Sequence, residues 1–348
     1  MSDVIATWFY AESPEEAGGT YHQVPGSSTS SAFWDVYLRC VAVSLATARC
    51  AAPDAKLVLL VNRPLSNLSS RVGQELVGIL ESLRVEVHVV RYTFEPPPSW
   101  SAAWRNQFFV FDGLAWAQEH LSDGDAFLLL DSDVIWNLPA EQLFVDLRAD
   151  GILSYDAGYE VDHPINGLSR RDMANTFDEL NGNLHSRDDA PVYLGGEFLA
   201  STLERLPSLN FAIRKAWKST LERHARGQSH PLEEAHLWSY VIDSLGLPAG
   251  NAGTHIKRIW NGTLSHSNVS ASDQLLTCWH LPAEKRFGFR RLYADITRVG
   301  VDSWLDQEHS LRSTSVNLRL GLPRSSARKR ICDVSFASTQ RALRTVRR

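Results

Sequence analysis

The chain has 348 residues, 44% of them hydrophobic and 22% charged, the composition of an ordinary globular protein long enough for one large α/β domain or two modest ones. Its formal net charge of −5 excludes an overall nucleic-acid-binding character. No apolar run approaches the roughly 18 residues that a membrane-spanning helix needs.

The N-terminus, MSDVIATWFYAESPEE, has neither a basic n-region nor a long apolar stretch, and the expected location is cytoplasmic. Val4 to Tyr10 reads as a first strand, Trp34 to Arg49 as a helix, Leu57 to Asn62 as a second strand and Arg71 to Leu83 as a second helix. Val85 to Val90 reads as a third strand, Ala103 to His120 as a helix and Ala126 to Leu130 as a fourth strand. Strands alternating with helical patterns imply βαβ units and an α/β fold, a mostly parallel sheet with helices on both faces. Between the first strand and helix, Ala11 to Ser31 is rich in Gly, Ser, Pro and Glu and too long for a routine connection, as a functional or mobile loop would be. The prolines Pro96 to Pro98 end the third strand region and set the start of the Trp104 helix. Farther on, Gly151 to Tyr155 reads as a strand, and Pro207 to Arg226 and Leu232 to Leu245 read as helices. From Pro323 to Arg348 there are eight Lys or Arg against one Asp. Such a basic tail fits solvated disorder or peripheral contact with an anionic membrane surface. Cys40, Cys50, Cys278 and Cys332 form no CxxC pair, so neither a cysteine zinc site nor a dense disulfide framework is expected.

The segment DAFLLLDSD, Asp125 to Asp133, carries the most chemistry. Its apolar run reads as a strand buried on both faces. In open α/β sheets ligands bind beyond the carboxyl ends of the strands, where Asp131 and Asp133, flanking Ser132, can both reach one hard cation such as Mg²⁺ or Mn²⁺. The alternative is a pair of cap or turn aspartates. In YLGGEFLAST, Tyr193 to Thr202, Gly195 and Gly196 interrupt a strand-like run, which marks either a close approach of a ligand or a β-bulge. HPLEEAHLW, His230 to Trp238, puts Glu233 and Glu234 in the first turn of a helix, a position the helix dipole alone also favours. WHLPAEKRF, Trp279 to Phe287, offers His280 as a metal ligand and Lys285 as a diphosphate contact. Arg105 suits phosphate or carboxylate recognition, or is a surface helix arginine. Trp8, Phe9 and Tyr10, ending the first strand beside the ligand edge, suit stacking on a base, or core packing.

Taken in order, these segments resemble the metal-dependent, nucleotide-sugar-using glycosyltransferases of the GT-A fold, whose aspartate-any-aspartate motif follows a buried strand as Asp131, Ser132 and Asp133 do. The closest likeness is to the retaining blood-group-type α-galactosyl and α-N-acetylgalactosaminyl transferases, which show a double-glycine strand resembling YLGGEFLAS and a helix start resembling EEAHLW. Motifs carry this likeness from Trp104 to about Leu245, and topology alone carries it over the earlier strands. Trp238 stands where that family has asparagine, and Glu197 where an aromatic is usual. The His280 to Lys285 spacing resembles instead the glycogenin-like retaining transferases, one residue short.

The resemblance implies a single GT-A domain. Residues 1–137 would form its nucleotide-sugar-binding half, 138–322 its acceptor-binding and catalytic half, and 323–348 a basic, flexible tail. It further implies transfer of a sugar from a nucleotide-diphosphate donor, a UDP-sugar foremost, to an unknown acceptor hydroxyl. Mn²⁺ or Mg²⁺ would be held by Asp131, Asp133 and His280. Donor contacts would come from Trp8, Phe9, Arg105, Ser132, Gly195, Gly196, His236 and Lys285. Glu234, with Glu233 beside it, would act beneath the sugar, either stabilising an oxocarbenium-like transition state or forming a covalent adduct in a retaining reaction. Activation of the acceptor by Glu234 would instead invert. The acceptor would lie against the second half, around Ala157 to Ala190 and Trp260. Two other readings remain: a haloacid-dehalogenase-like phosphohydrolase, whose nucleophile strand has the same apolar-Asp-x-Asp pattern, and a catalytically silent GT-A-fold binding protein.

Overall fold

The first four strands have five to seven residues each and alternate with helices. The computed structural model describes every residue except 1, 17, 18, 20, 22, 101, 102, 182–189, 262–266, 347 and 348, with no side-chain placement for 181 and 339–346. Strand β1 (Asp3–Phe9) leads through the long loop into α1 (Ser31–Ala51), followed by β2 (Lys56–Val61), α2 (Arg71–Ser82), β3 (Val85–Val89), α3 (Phe109–His120) and β4 (Ala126–Leu130). Then come β5 (Val134–Trp136), α4 (Glu141–Asp150), β6 (Ile152–Asp156), α5 (Arg170–Asn181), β7 (Leu194–Thr202), α6 (Leu206–Ala225) and α7 (Glu234–Ser244). The last third holds β8 (Ile256–Arg258), β9 (Cys278–His280), α8 (Gly288–Val299), α9 (Val301–Leu305), α10 (His309–Leu320) and α11 (Ala327–Val346).

Six strands form the main sheet in the order β3-β2-β1-β4-β7-β6. The first four run parallel, and β7 is antiparallel to both of its neighbours. This is the mostly parallel α/β class expected from the sequence. Because side chains alternate across a strand, β4 feeds two cores: Leu128 and Leu130 pack into one, Phe127 and Leu129 into the other. The first core is closed by α1, α2, α8 and a small second sheet, and the other by α3, α6 and α7. Serine caps start two of the covering helices, Ser30 accepting from the Phe33 amide at 3.2 Å and Ser70 from the Gly73 amide at 2.8 Å, which satisfies amides left unpaired in a first turn.

The second sheet, in the order β5-β9-β8, was not predicted. Its strands have three residues each, too short for an alternating pattern to register. Its register nevertheless fixes the site, since Val134 pairs with His280 directly after the Asp131 to Asp133 turn.

Two expected helix starts need correction. The helix expected from Ala103 begins as a 3₁₀ turn, Arg105–Phe108, because Trp104 sits in the left-handed region at φ 59°, which an α-helix cannot include. The helix expected from Leu232 starts at Glu234, with Glu233 extended as its cap residue. Within the basic tail that begins at Pro323, Ala327–Val346 forms α11. Burial of an ion cluster explains its docking: Lys329 Nζ lies 2.7 Å from both Glu284 Oε1 and Asp333 Oδ2, Arg291 also pairs with Asp333, and the Arg290 guanidinium lies 4.3 Å from the Phe336 ring centre. Among the described residues, no helix is long and apolar enough to cross a membrane.

Lys329→Met would leave Glu284 and Asp333 without their shared buried cation. The expected loss is about 3 kcal/mol of folding stability, read as a lower urea midpoint; a midpoint equal to the parent chain's would contradict this account of the C-terminal helix.

Candidate active site

The carboxyl end of β4 delivers Asp131 and Asp133 to the seam between the two sheets. The Asp131 amide donates to the Glu197 carbonyl on β7 at 3.2 Å, and the Leu281 amide donates to the Asp133 carbonyl at 3.0 Å, so both sheets grip the turn. Asp131 Oδ1 accepts from Trp8 Nε1 at 3.2 Å. His280 Nε2 lies 3.1 Å from Asp133 Oδ2 and 3.9 Å from Asp131 Oδ2. Lys285 Nζ is 2.9 Å from Asp133 Oδ2 and 5.3 Å from the centre of the Tyr37 ring.

Electrostatics separates the two aspartates. Burial and then the neighbouring Asp133 charge push Asp131 up to about 6. Asp133 is buried as well, but Lys285 and His280 outweigh that penalty and hold it well below the usual carboxylate range. Burial disfavours the His280 imidazolium, yet Asp133 and Glu197 together lift it to about 9.

One ligand atom each from Asp131, Asp133 and His280 lies within 4.8 Å of the others. Two carboxylates and an imidazole suit Mn²⁺, and their oxygens suit Mg²⁺. Buried His280 Nε2 and Asp133 Oδ2 face each other without the directional geometry of a hydrogen bond, while His280 Nδ1 is engaged by Glu197 at 3.0 Å. The donor set therefore fits a divalent cation.

Asp131, His280, Lys285, Gly196, Glu233 and Glu234 line one cavity of about 330 Å³. Across it Gln107 donates its side-chain amide to both Glu234 oxygens, at 2.8 and 2.6 Å, the orientation in which nitrogen faces the carboxylate. Burial, then Glu233, then Asp131, push the Glu234 carboxyl well above its ordinary value. Glu233 accepts from Tyr193 Oη at 2.7 Å and from Asn166. The outer wall is aromatic: Tyr159 stacks on His163 with ring centres 5.3 Å apart, and Trp260 lies on the same cavity. Part of the expected acceptor segment, residues 182–189, lies outside the described residues.

A second recess, about 40 Å³, adjoins the aspartates and is lined by Trp8, Phe9, Tyr10, Tyr21, Phe33 and Tyr37 with Ser132. The long loop covers it through Tyr21, whose ring meets those of Phe33 and Trp104 at 5.2 and 5.7 Å.

Three sequence-predicted residues stand elsewhere. Arg105 donates to the Pro96 carbonyl at 2.8 Å and faces Glu95. His236 is fully buried behind Glu233, with Nε2 against the Ile165 carbonyl at 3.1 Å and Nδ1 against the Leu232 amide at 3.3 Å. Gly195 makes room for protein, since a Cβ there would come within 2.2 Å of Glu197 Oε2. Glu197, Arg258, Gln107 and Tyr193 were not predicted. Glu197 carried a signal, being a lone charge in an apolar strand beside two glycines.

No protein-family profile matches the chain, and no curated protein matches it. Among solved structures it is similar to the galactosyltransferase LgtC in complex with donor and acceptor sugar analogs, with 13% identity and TM-score 0.46 over 84% of this chain and 95% of that one. It is also similar to mouse xyloside xylosyltransferase 1 in its apo form, with 12% identity and TM-score 0.45 over 80% of this chain and 97% of that one. A third is the apo bifunctional glycosyltransferase WbbM, with 10% identity and TM-score 0.46 over 80% of this chain and 45% of that one. Likeness at this level assigns neither a family nor a reaction.

At Gly196 a Cβ would meet Glu234 Oε1 at 2.5 Å and Cγ at 2.9 Å. Gly196→Ala is therefore expected to lower stability by about 1 to 3 kcal/mol through overpacking; calorimetric melting at the parent temperature would show that Glu234 does not occupy this space.

Proposed function

We propose that the chain is a GT-A-type glycosyltransferase that moves a hexose from a nucleotide-diphosphate sugar, a UDP-sugar foremost, to an acceptor hydroxyl, with Mn²⁺ or Mg²⁺ and with retention at the anomeric carbon. The observation that carries this reading is the convergence of Asp131, Asp133 and His280 beside a cavity that Asp131 and His280 line together with Glu234.

Asp131, Asp133 and His280 would hold the cation, which supplies positive charge to a diphosphate leaving group. Lys285 adds a second positive charge beside Asp133 and suits the same phosphates. Trp8, Phe9 and Tyr10 offer aromatic faces to a base, adjoining the aspartates. Gln107 fixes the Glu234 carboxyl in the cavity. A carboxyl at that position is suited to stabilise positive charge on the anomeric carbon or to bond to it, and the resemblance of EEAHLW to the retaining transferases favours that role. Tyr159, His163 and Trp260 form the wall against which we position the acceptor, because flat aromatic faces suit the apolar face of a sugar or another ring.

The test is a thermal-shift panel of nucleotide sugars with and without Mn²⁺. A true donor at about a hundred times its Kd should add about 2.7 kcal/mol, only with metal, and Asp133→Ala should erase that shift. Metal-independent stabilisation, or an unaltered shift in Asp133→Ala, removes the aspartates from donor binding. With a donor identified, Glu234→Gln should lower turnover by about 100-fold or more at unchanged folding; near-parental turnover would exclude Glu234 from the chemistry, and NMR of the product would read its anomeric configuration.

A further inference from the structure

We infer that Glu197 is the positioning residue of the cation site, setting the orientation of His280 through its side chain and of Asp131 through its backbone. This rests on the cation reading above. Glu197 is 2% exposed and lies on β7, between β4 and β6. Its carbonyl accepts from the Asp131 amide at 3.2 Å. Its Oε1 accepts from His280 Nδ1 at 3.0 Å and from Arg258 Nε at 2.7 Å, and its Oε2 accepts from Arg258 Nη2 at 2.5 Å.

Each contact has a consequence. A carboxylate facing Nδ1 keeps a proton on that nitrogen, which leaves Nε2 as the ring atom turned toward Asp133 and Asp131. A histidine held this way by a second carboxylate is oriented and made a better ligand, and losing such a partner costs metal affinity. The Arg258 fork fixes the carboxylate in two directions, because parallel N–H bonds allow little rotation. Arg258 comes from β8, whose register pairs it with His280 on β9, so the small sheet supplies both the ligand and the group that clamps the ligand's partner. Arg258 also touches Tyr159 Oη at 3.2 Å, and the clamp thereby reaches the aromatic wall of the cavity. Finally, the absence of a side chain at Gly195 is what lets the carboxylate lie across the strand.

The experiment is calorimetric titration of the full chain with Mn²⁺, with no nucleotide sugar, alongside pulsed EPR of the bound ion to detect ¹⁴N coupling from His280. In the parent chain we expect Mn²⁺ binding with a nitrogen coupling. Glu197→Gln keeps the shape but removes the charge, and should weaken binding by about 10- to 100-fold and diminish the coupling. Gly195→Ala keeps the charge but displaces the carboxylate; the same two changes are expected, and this variant carries the test if Glu197→Gln does not fold. Mn²⁺ affinity within twofold of the parent in a folded variant overturns the inference. So does weaker binding with an undiminished nitrogen coupling, which would mark a general packing role. Failure of the parent chain itself to bind Mn²⁺ overturns the cation reading, a result distinct from either.

Discussion

Four carboxyl groups line one cavity, those of Asp131, Glu197, Glu233 and Glu234, and a fifth, Asp133, is buried against His280 and Lys285, so that five acids meet three basic groups, Arg258, His280 and Lys285. Like charges about 4 Å apart repel by roughly 4 kcal/mol at the effective dielectric of a protein, so the arrangement holds only because cations are interleaved with acids. Asp133 is flanked by Lys285 and His280, and Glu197 by Arg258 and His280. Both are held low in pKa by those partners. Glu234 has an amide instead of a cation, and its pKa rises. On the proposed reading, this excess of acids over bases suits a divalent cation.

That crowding follows from how two sheets meet. The main sheet ends β4 at Leu130, and the chain enters the small sheet at Val134, so the intervening turn belongs to neither. Register does the rest: His280 opposite Val134, Arg258 opposite His280, and the Glu197 carbonyl on the Asp131 amide. Backbone pairing thus brings together residues as far apart in the chain as Val134 and His280. Glycine at 195 and 196 is needed because two glutamate side chains, one from the same strand and one from α7, lie where Cβ atoms would project.

The sequence was most legible where one physical signal dominated. A run such as Ala126 to Leu130, buried on both faces, is too short for a helix and bounded by polar residues, and the parallel half of the sheet followed from the alternation of such runs with helices. Asp131 and Asp133 were legible because carboxylates at the end of such a strand need a reason, and Lys285 and His280 were legible through their spacing to each other. For Arg105 and His236 the residue type suggests a role but not the partners, which are Pro96 and Glu95 in one case and Ile165 and Leu232 in the other. Glu197 and Arg258 escaped notice as a pair because a buried ion pair joins distant segments, and neither partner alone announces the other. The short strands of the small sheet carry no period long enough to read.

The C-terminal helix has a bearing beyond its own docking. Lys329 is anchored on Glu284, the residue immediately before Lys285, which in turn contacts Asp133. The far end of the chain is thus tethered, one peptide unit removed, to the lysine beside the aspartates. Severing the polypeptide before Ala327 would strand a carboxylate next to that lysine and loosen the turn that aims it, so trimming a seemingly peripheral terminus would be felt at the heart of the molecule.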